Sequence, residues 1–119
     1  MTQVESRIPA ILKEAAVIFL TELEQHSNAM SEALSDTGAP LATLTANAKN
    51  FSERFHTVKG GAGFLQLDRL KALATDGEKL FKQPIDSGNC DAVMDQFKQL
   101  LSGLQEELVL LRAELAQPS

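Results

Sequence analysis

Tryptophan and tyrosine are absent from this sequence of 119 residues, and its only aromatic residues are six phenylalanines. A chain of this length fits one domain and can bury a single core. With so few aromatic residues, that core must be built from Leu, Ala, Ile and Phe, a composition that suits packed helices. Cysteine occurs only at Cys90, which excludes an internal disulfide and a cysteine-rich zinc site.

Long basic runs and long apolar runs are missing as well. The net charge is −5, which argues against nucleic acid or an anionic membrane as the main partner, because both bind clustered Lys and Arg. No apolar stretch approaches the roughly 18 residues of a membrane span. The N-terminus lacks the charged-then-apolar pattern of a signal peptide. We therefore expect a cytoplasmic protein that binds neither nucleic acid nor membrane.

Apolar residues recur at helical spacing in four segments, which are separated by turn residues. The pattern predicts helices over residues 7–35, 40–66, 69–83 and 90–116. Ser6 is expected to cap the first helix with Pro9 in its first turn, and Asp68 is expected to cap the third. No segment alternates in the way a strand does, and short connections favour antiparallel neighbours. We predict one all-α domain over residues 1–119, an antiparallel up-down four-helix bundle.

The second segment carries a histidine followed by three glycines in four positions, Gly60, Gly61 and Gly63. Relative to alanine, these glycines destabilise a helix by roughly 2–3 kcal/mol. His56 shares a face with Gly60 and Gly63, away from the apolar stripe, so its ring should be accessible beside a bare surface. Lys59 would hold an ammonium group near the ring, where it could attract a phosphoryl group.

A structural interpretation of the same residues remains open. Small residues also let helices pack closely, and that purpose alone would explain Gly61. A single histidine on a helix is usually a solvated side chain.

The other candidate residues do not form a recognisable site. His26 has no spacing that would join His56 in a metal site, so no metal site is predicted. The glycines do not form a phosphate-binding loop, and Cys90 is expected to have no role.

The segment from Phe55 to Leu67, with the sequence FHTVKGGAGFLQL, resembles the phosphorylation motif of histidine phosphotransfer domains. It is especially similar to the N-terminal phosphotransfer domain of chemotaxis histidine kinases. The resemblance implies a four-helix bundle in which His56 accepts the phosphoryl group and Lys59 positions it. It also implies a partner-binding surface around the bare turns, comprising Gly60, Gly63, Phe64, Leu67, Ser52 and Glu53.

Glu78 falls where chemotaxis-kinase domains place a glutamate that hydrogen-bonds the phospho-accepting histidine. Such a carboxylate would accept the Nδ1 proton of His56 and leave the Nε2 lone pair free for attack. The alternative for Glu78 is a surface charge paired with Lys82, four residues on. Thr75 stands where the chemotaxis subgroup often has a second histidine, so we expect a simpler hydrogen-bond network.

The resemblance implies a phosphocarrier that is not an enzyme on its own. A histidine kinase domain, or a phospho-aspartyl receiver, would phosphorylate the domain, and the aspartate of a response-regulator receiver would take the group onward. No cofactor is expected on this chain, whereas Mg²⁺ and ATP are expected on the partner domains. Two alternatives stay open: a fragment of a chemotaxis-type kinase, whose parent would be a protein-histidine kinase, and a helical docking module that is never phosphorylated.

Overall fold

The computed structural model describes residues 8–35 and 39–116, which form an elongated all-helical body of 55 × 23 × 22 Å. A 3-10 turn at Ala10–Leu12 precedes four α-helices: α1 at Lys13–Ser35, α2 at Pro40–Phe64, α3 at Asp68–Lys82 and α4 at Cys90–Ala116. No strand occurs in these two ranges. The all-α prediction is therefore confirmed. No helix within the described ranges is long and apolar enough to cross a membrane.

The first helix begins later than the periodicity predicts. Pro9 has an extended backbone with ψ 144°, and its carbonyl accepts the Leu12 N–H at 2.9 Å in the 3-10 turn. The residue before a proline disfavours the helical region, so Ile8 cannot continue a helix through Pro9. Pro9 consequently stands before the helix rather than in its first turn. The predicted cap Ser6 lies outside the described residues.

A tight reversal ends α2 two residues before the predicted limit. Gln66 adopts the left-handed conformation with φ 59°. Its N–H donates to the Gly63 carbonyl at 3.2 Å, and the Leu67 N–H donates to the Ala62 carbonyl at 2.8 Å. These two bonds form a Schellman motif, which satisfies the last carbonyls of the helix. Asp68 then is the first residue of α3 rather than its cap, and no side-chain cap precedes it.

Contacts between neighbouring helices pair rising residue numbers on one helix with falling numbers on the next. The pairs are Phe19 with Gly61 and His26 with Arg54 (α1–α2), Phe55 with Gly77 and Gly63 with Lys71 (α2–α3), Arg69 with Glu106 and Leu73 with Gly103 (α3–α4), and Glu24 with Arg112 and Ser27 with Gln105 (α1–α4). Each helix therefore contacts the next helix along the chain, and α4 returns to α1.

Four phenylalanines form the centre of the core beneath α2 and α3. Phe51, Phe55, Phe81 and Phe97 are all buried, with ring centroids between 4.8 Å and 6.2 Å apart. Burying each such side chain stabilises the fold by about 1.5–3 kcal/mol. Because the four rings come from α2, α3 and α4, they fix the spacing of these helices. Phe55 immediately precedes His56, so the cluster also supports the candidate site.

Candidate functional site

His56 projects from the outer face of α2. Its side chain is 67% exposed, whereas Phe55 and Val58 on the same helix are buried. A helix turns about 100° per residue, so the apolar stripe faces the core while His56 faces solvent. The ring is therefore accessible to an approaching molecule, in line with the spacing in the sequence.

Glu78 lies beside His56 on α3, with only 8% of its side chain exposed. Its carboxylate has three partners, and each contact is a charge-assisted hydrogen bond or ion pair. The Oε2 atom is 2.8 Å from His56 Nδ1 and 3.1 Å from Lys82 Nζ, and the Oε1 atom accepts from Lys59 Nζ at 2.5 Å. Glu78 therefore contacts both of the partners that the sequence suggests for it, His56 and Lys82, at the same time.

The surrounding donors keep Glu78 ionised. Hydrogen bonds from Lys59, then Lys82 and His56, outweigh burial and lower the pKa of Glu78 to about 2. An ionised carboxylate can only accept hydrogen bonds. The Nδ1 atom of His56 must therefore donate, which places the proton of a neutral ring on Nδ1. In that tautomer the Nε2 atom keeps a lone pair that is able to act as a nucleophile.

Gly77 brings α3 close enough for Glu78 to reach His56, a role that is not among those predicted from the sequence. A Cβ atom at this position would lie 2.4 Å from Cδ1 of the buried Phe55 ring. Only a residue without a side chain fits there, so Gly77 sets the distance between α2 and α3. An isolated glycine inside a helical pattern costs about 1 kcal/mol and often has a packing reason. An isolated glycine within the helical pattern of α3 is therefore the feature of the sequence that could have indicated this role.

The two glycines that were predicted to leave a bare surface, Gly60 and Gly63, are open in the structure. No atom lies within 4 Å of a Cβ built on Gly60, and one built on Gly63 meets only Lys71 at 3.8 Å. Gly61 instead packs against the Phe19 ring, where a Cβ would clash at 2.4 Å. Gly60 and Gly63 therefore leave open surface next to His56, whereas Gly61 has a packing role.

Of the other residues predicted for the partner-binding surface, Phe64, Ser52 and Glu53 are accessible. Leu67 is not. Phe64 is 66% exposed beyond Gly60 and Gly63. Ser52 and Glu53 line a shallow depression together with His56, Thr57, Glu78 and Lys82. Leu67 is only 2% exposed. The Schellman reversal turns it back onto the core, so its assignment to the partner-binding surface is wrong.

The second histidine lies elsewhere and takes part in a different contact. His26 on α1 is 3.0 Å from Arg54 through its Nδ1 atom, and burial, then the Arg54 charge, lowers its pKa. Cys90 is buried at the start of α4. Within residues 8–35 and 39–116, no group of three or more His, Cys, Asp or Glu side chains is arranged to hold a metal ion.

Comparison with known proteins places the chain in a family. The family model described as "Hpt domain" matches residues 14–114, which cover most of the chain and include all four helices except their outermost residues. The chain therefore belongs to the histidine phosphotransfer (Hpt) domain family. No curated protein and no solved structure matches it at a significant level. Hpt domains are phosphocarriers rather than enzymes, and they act with kinases and response regulators in two-component signalling.

Proposed function

We propose that His56 is the phospho-accepting residue of this Hpt domain and that Glu78 orients its ring. The observation that carries the proposal is the 2.8 Å contact between Nδ1 of the exposed His56 and the buried, ionised carboxylate of Glu78. This contact supports a single tautomer in which Nε2 faces solvent with its lone pair free. The domain would accept a phosphoryl group there and pass it to the aspartate of a response-regulator receiver.

In the proposed transfer, the Nε2 lone pair forms the bond to phosphorus while the bond from phosphorus to the donor oxygen breaks. The electron pair of that bond leaves with the donor. The Nδ1 proton stays on the ring, which becomes positively charged and is stabilised by the carboxylate of Glu78. Lys59 offers an ammonium group to the phosphoryl oxygens. Transfer to the receiver reverses these steps, and Mg²⁺ and ATP belong to the partner domains.

The partner would bind over the open turns of α2. Gly60 and Gly63 allow another backbone to approach closely, and Phe64 offers an exposed apolar contact. Ser52 and Glu53 border the other side of His56. Residues 40–82 carry seven Lys and Arg against four Asp and Glu, although the whole chain has a net charge of −5. This excess of positive charge on α2 and α3 favours a partner with an acidic surface.

We infer from the order of the interhelical contacts that the helices form an antiparallel up-down bundle. Each contact series pairs rising numbers with falling ones, and α4 contacts α1. In such a bundle His56 lies about two turns before the end of α2, so a partner approaches the side of the bundle rather than its end.

The second candidate is the phosphotransfer domain of a chemotaxis-type histidine kinase. The contact between Glu78 and His56 favours it, because the resemblance places a histidine-bound glutamate in that subgroup. The chemistry at His56 is the same, and the phosphoryl donor differs. Phosphorylation by a kinase domain encoded in the same reading frame would support this candidate, and a reading frame without one would exclude it.

Substituting His56 tests the proposal directly. After incubation with an active histidine kinase and ATP, we expect acid-labile phosphate on the parent protein and none on His56→Gln. His26→Gln is the matched control, because it removes the other histidine and should be labelled like the parent. Circular dichroism should show the same helical content in all three proteins. Labelling of His56→Gln at the parental level, or no labelling of a folded parent by any kinase or receiver, would contradict the proposal.

The docking surface is tested separately at Gly63. Leucine at this position should slow transfer to a receiver, since its side chain covers the open turn, while labelling by a small phosphoramidate donor is unchanged. Gly63→Ala is the matched control, because a Cβ fits at this position and alanine raises helix propensity in the same way. Equal transfer rates for Gly63→Leu and Gly63→Ala would show that the partner does not use this surface.

A further inference from the structure

Two ammonium groups reach Glu78 from different helices, and only one of them belongs to the sequence around His56. Lys59 follows His56 by one turn of α2, and Lys82 follows Glu78 by one turn of α3. Contacts between α2 and α3 pair rising with falling numbers, as Phe55 with Gly77 and Gly63 with Lys71 show. Lys59 and Lys82 therefore lie on opposite sides of His56.

Lys82 is accessible beside the His56 ring. It lines the depression that also contains His56, Ser52 and Glu53, whereas Lys59 does not. Its side chain is 64% exposed and can move, and its ammonium nitrogen is 3.1 Å from the same carboxylate oxygen that holds His56 Nδ1. A lysine side chain has enough reach and freedom to leave this oxygen for a nearby anion.

The charges of the site favour such an exchange. Before transfer, the single negative charge of Glu78 faces two ammonium groups and the Nδ1–H of a neutral ring. After transfer, the positive ring becomes the natural partner of Glu78, and the new phosphoryl group brings close to two negative charges. Two ammonium groups are then available for two negative charges.

We propose that Lys82 is a second phosphoryl-contacting residue, which leaves Glu78 when His56 is phosphorylated and holds the phosphoryl oxygens from the side opposite Lys59. The proposal rests on the proposed function of His56. It adds a residue from α3 to the phosphoryl contacts, of which the other, Lys59, lies on α2. Lys82 would form no covalent bond and would transfer no proton, so its contribution is attraction and positioning of the anion.

The test compares Lys82→Gln and Lys82→Arg with the parent in labelling by a small phosphoramidate donor. Lys79→Gln is the matched control, because it removes the same charge from the same helix at a residue that lines a different surface, with Asp76 and Gln83. Exposed ion pairs have modest strength, so Lys82→Gln should reduce the labelling rate roughly 2- to 5-fold at low salt. Lys82→Arg should restore the rate, and added salt should reduce the difference.

A double-mutant cycle separates direct contact from an effect through Glu78. In a Glu78→Gln background, Lys82→Gln should still lower the labelling rate, because the contact with the phosphoryl group does not require the carboxylate. If Lys82→Gln has no further effect there, Lys82 acts only through Glu78 and the proposal is wrong. It is also wrong if Lys82→Gln and Lys79→Gln are labelled at equal rates while the parent is labelled at His56. A parent that is not labelled at His56 at all overturns the proposed function itself.

Discussion

Replacing Gly77 with alanine tests whether the spacing of α2 and α3 determines the geometry at His56. The added Cβ would lie 2.4 Å from Cδ1 of Phe55, far inside van der Waals contact. The Phe55 ring is fully buried, with the rings of Phe81 and Phe97 each 6.2 Å away. Because these neighbours block the ring, we expect α3 to shift away from α2 and to carry Glu78 with it.

The size of the effect follows from two opposing contributions. Overpacking a core costs about 1–3 kcal/mol, whereas a glycine-to-alanine change in a helix gains about 1 kcal/mol of propensity. The Gly77→Ala variant should therefore be less stable than the parent by between about 0 and 2 kcal/mol. Gly60→Ala is the matched control, since nothing lies within 4 Å of the new methyl group. It should gain about 0.5–1 kcal/mol.

Urea unfolding and the rate of phosphorylation measure the two consequences. Gly77→Ala should be about 1–3 kcal/mol less stable than Gly60→Ala, the difference between packing costs at a closed and an open position. Its labelling should fall about 10- to 100-fold, because a displaced Glu78 no longer orients His56. If Gly77→Ala is as stable as Gly60→Ala and is labelled at the parental rate, then Gly77 does not set the spacing.

Two further predictions concern Glu78 and Gln66. Because hydrogen bonds from Lys59 and Lys82 lower the pKa of Glu78 from 4.5 to about 2, the stability that its ionised form contributes is complete above about pH 4.5 and is lost as the pH falls toward 2. The stability difference between the parent and Glu78→Gln in urea unfolding should narrow over that interval; a constant difference would show that the carboxylate charge is not the cause. At Gln66, φ 59° is costly for a residue with a side chain. Gln66→Gly should therefore stabilise the protein by roughly 0.5–1 kcal/mol, whereas Gln83→Gly, at an extended position, should not. Equal changes in the two variants would refute this explanation.

The features that the sequence predicts well, the four helices and the exposure of His56, follow from the spacing of apolar residues along the chain. Apolar residues at helical intervals mark the four helices, and the position of His56 relative to Phe55 and Val58 indicates its exposure. The predicted start of α1 is wrong at Pro9, which precedes the helix and is not part of its first turn. Helical periodicity alone does not distinguish a proline inside the first turn from one just before it.

The features that could not be predicted from the sequence have two causes. Some depend on contacts between residues that are distant in the sequence, and others on a backbone conformation that occurs here without the residue type that usually marks it. Gly77 has its role only because Phe55, on another helix, lies against it. Leu67 is buried because Gln66 adopts a left-handed conformation, for which glycine is the usual residue. The spacing in the sequence indicates Lys82 only as an alternative partner for Glu78, whereas one carboxylate can accept from several donors at once.

The reversal between α2 and α3 places the groups of the proposed site in one continuous segment of the chain. His56 and Glu78 are 22 positions apart, and both lysines that contact Glu78 lie within the same continuous segment, residues 56–82. The outer helices α1 and α4 supply support, such as Phe19 and Phe97, but none of the polar groups around the imidazole. Changes in α1 and α4 that keep this support would therefore leave every group of the proposed transfer in place.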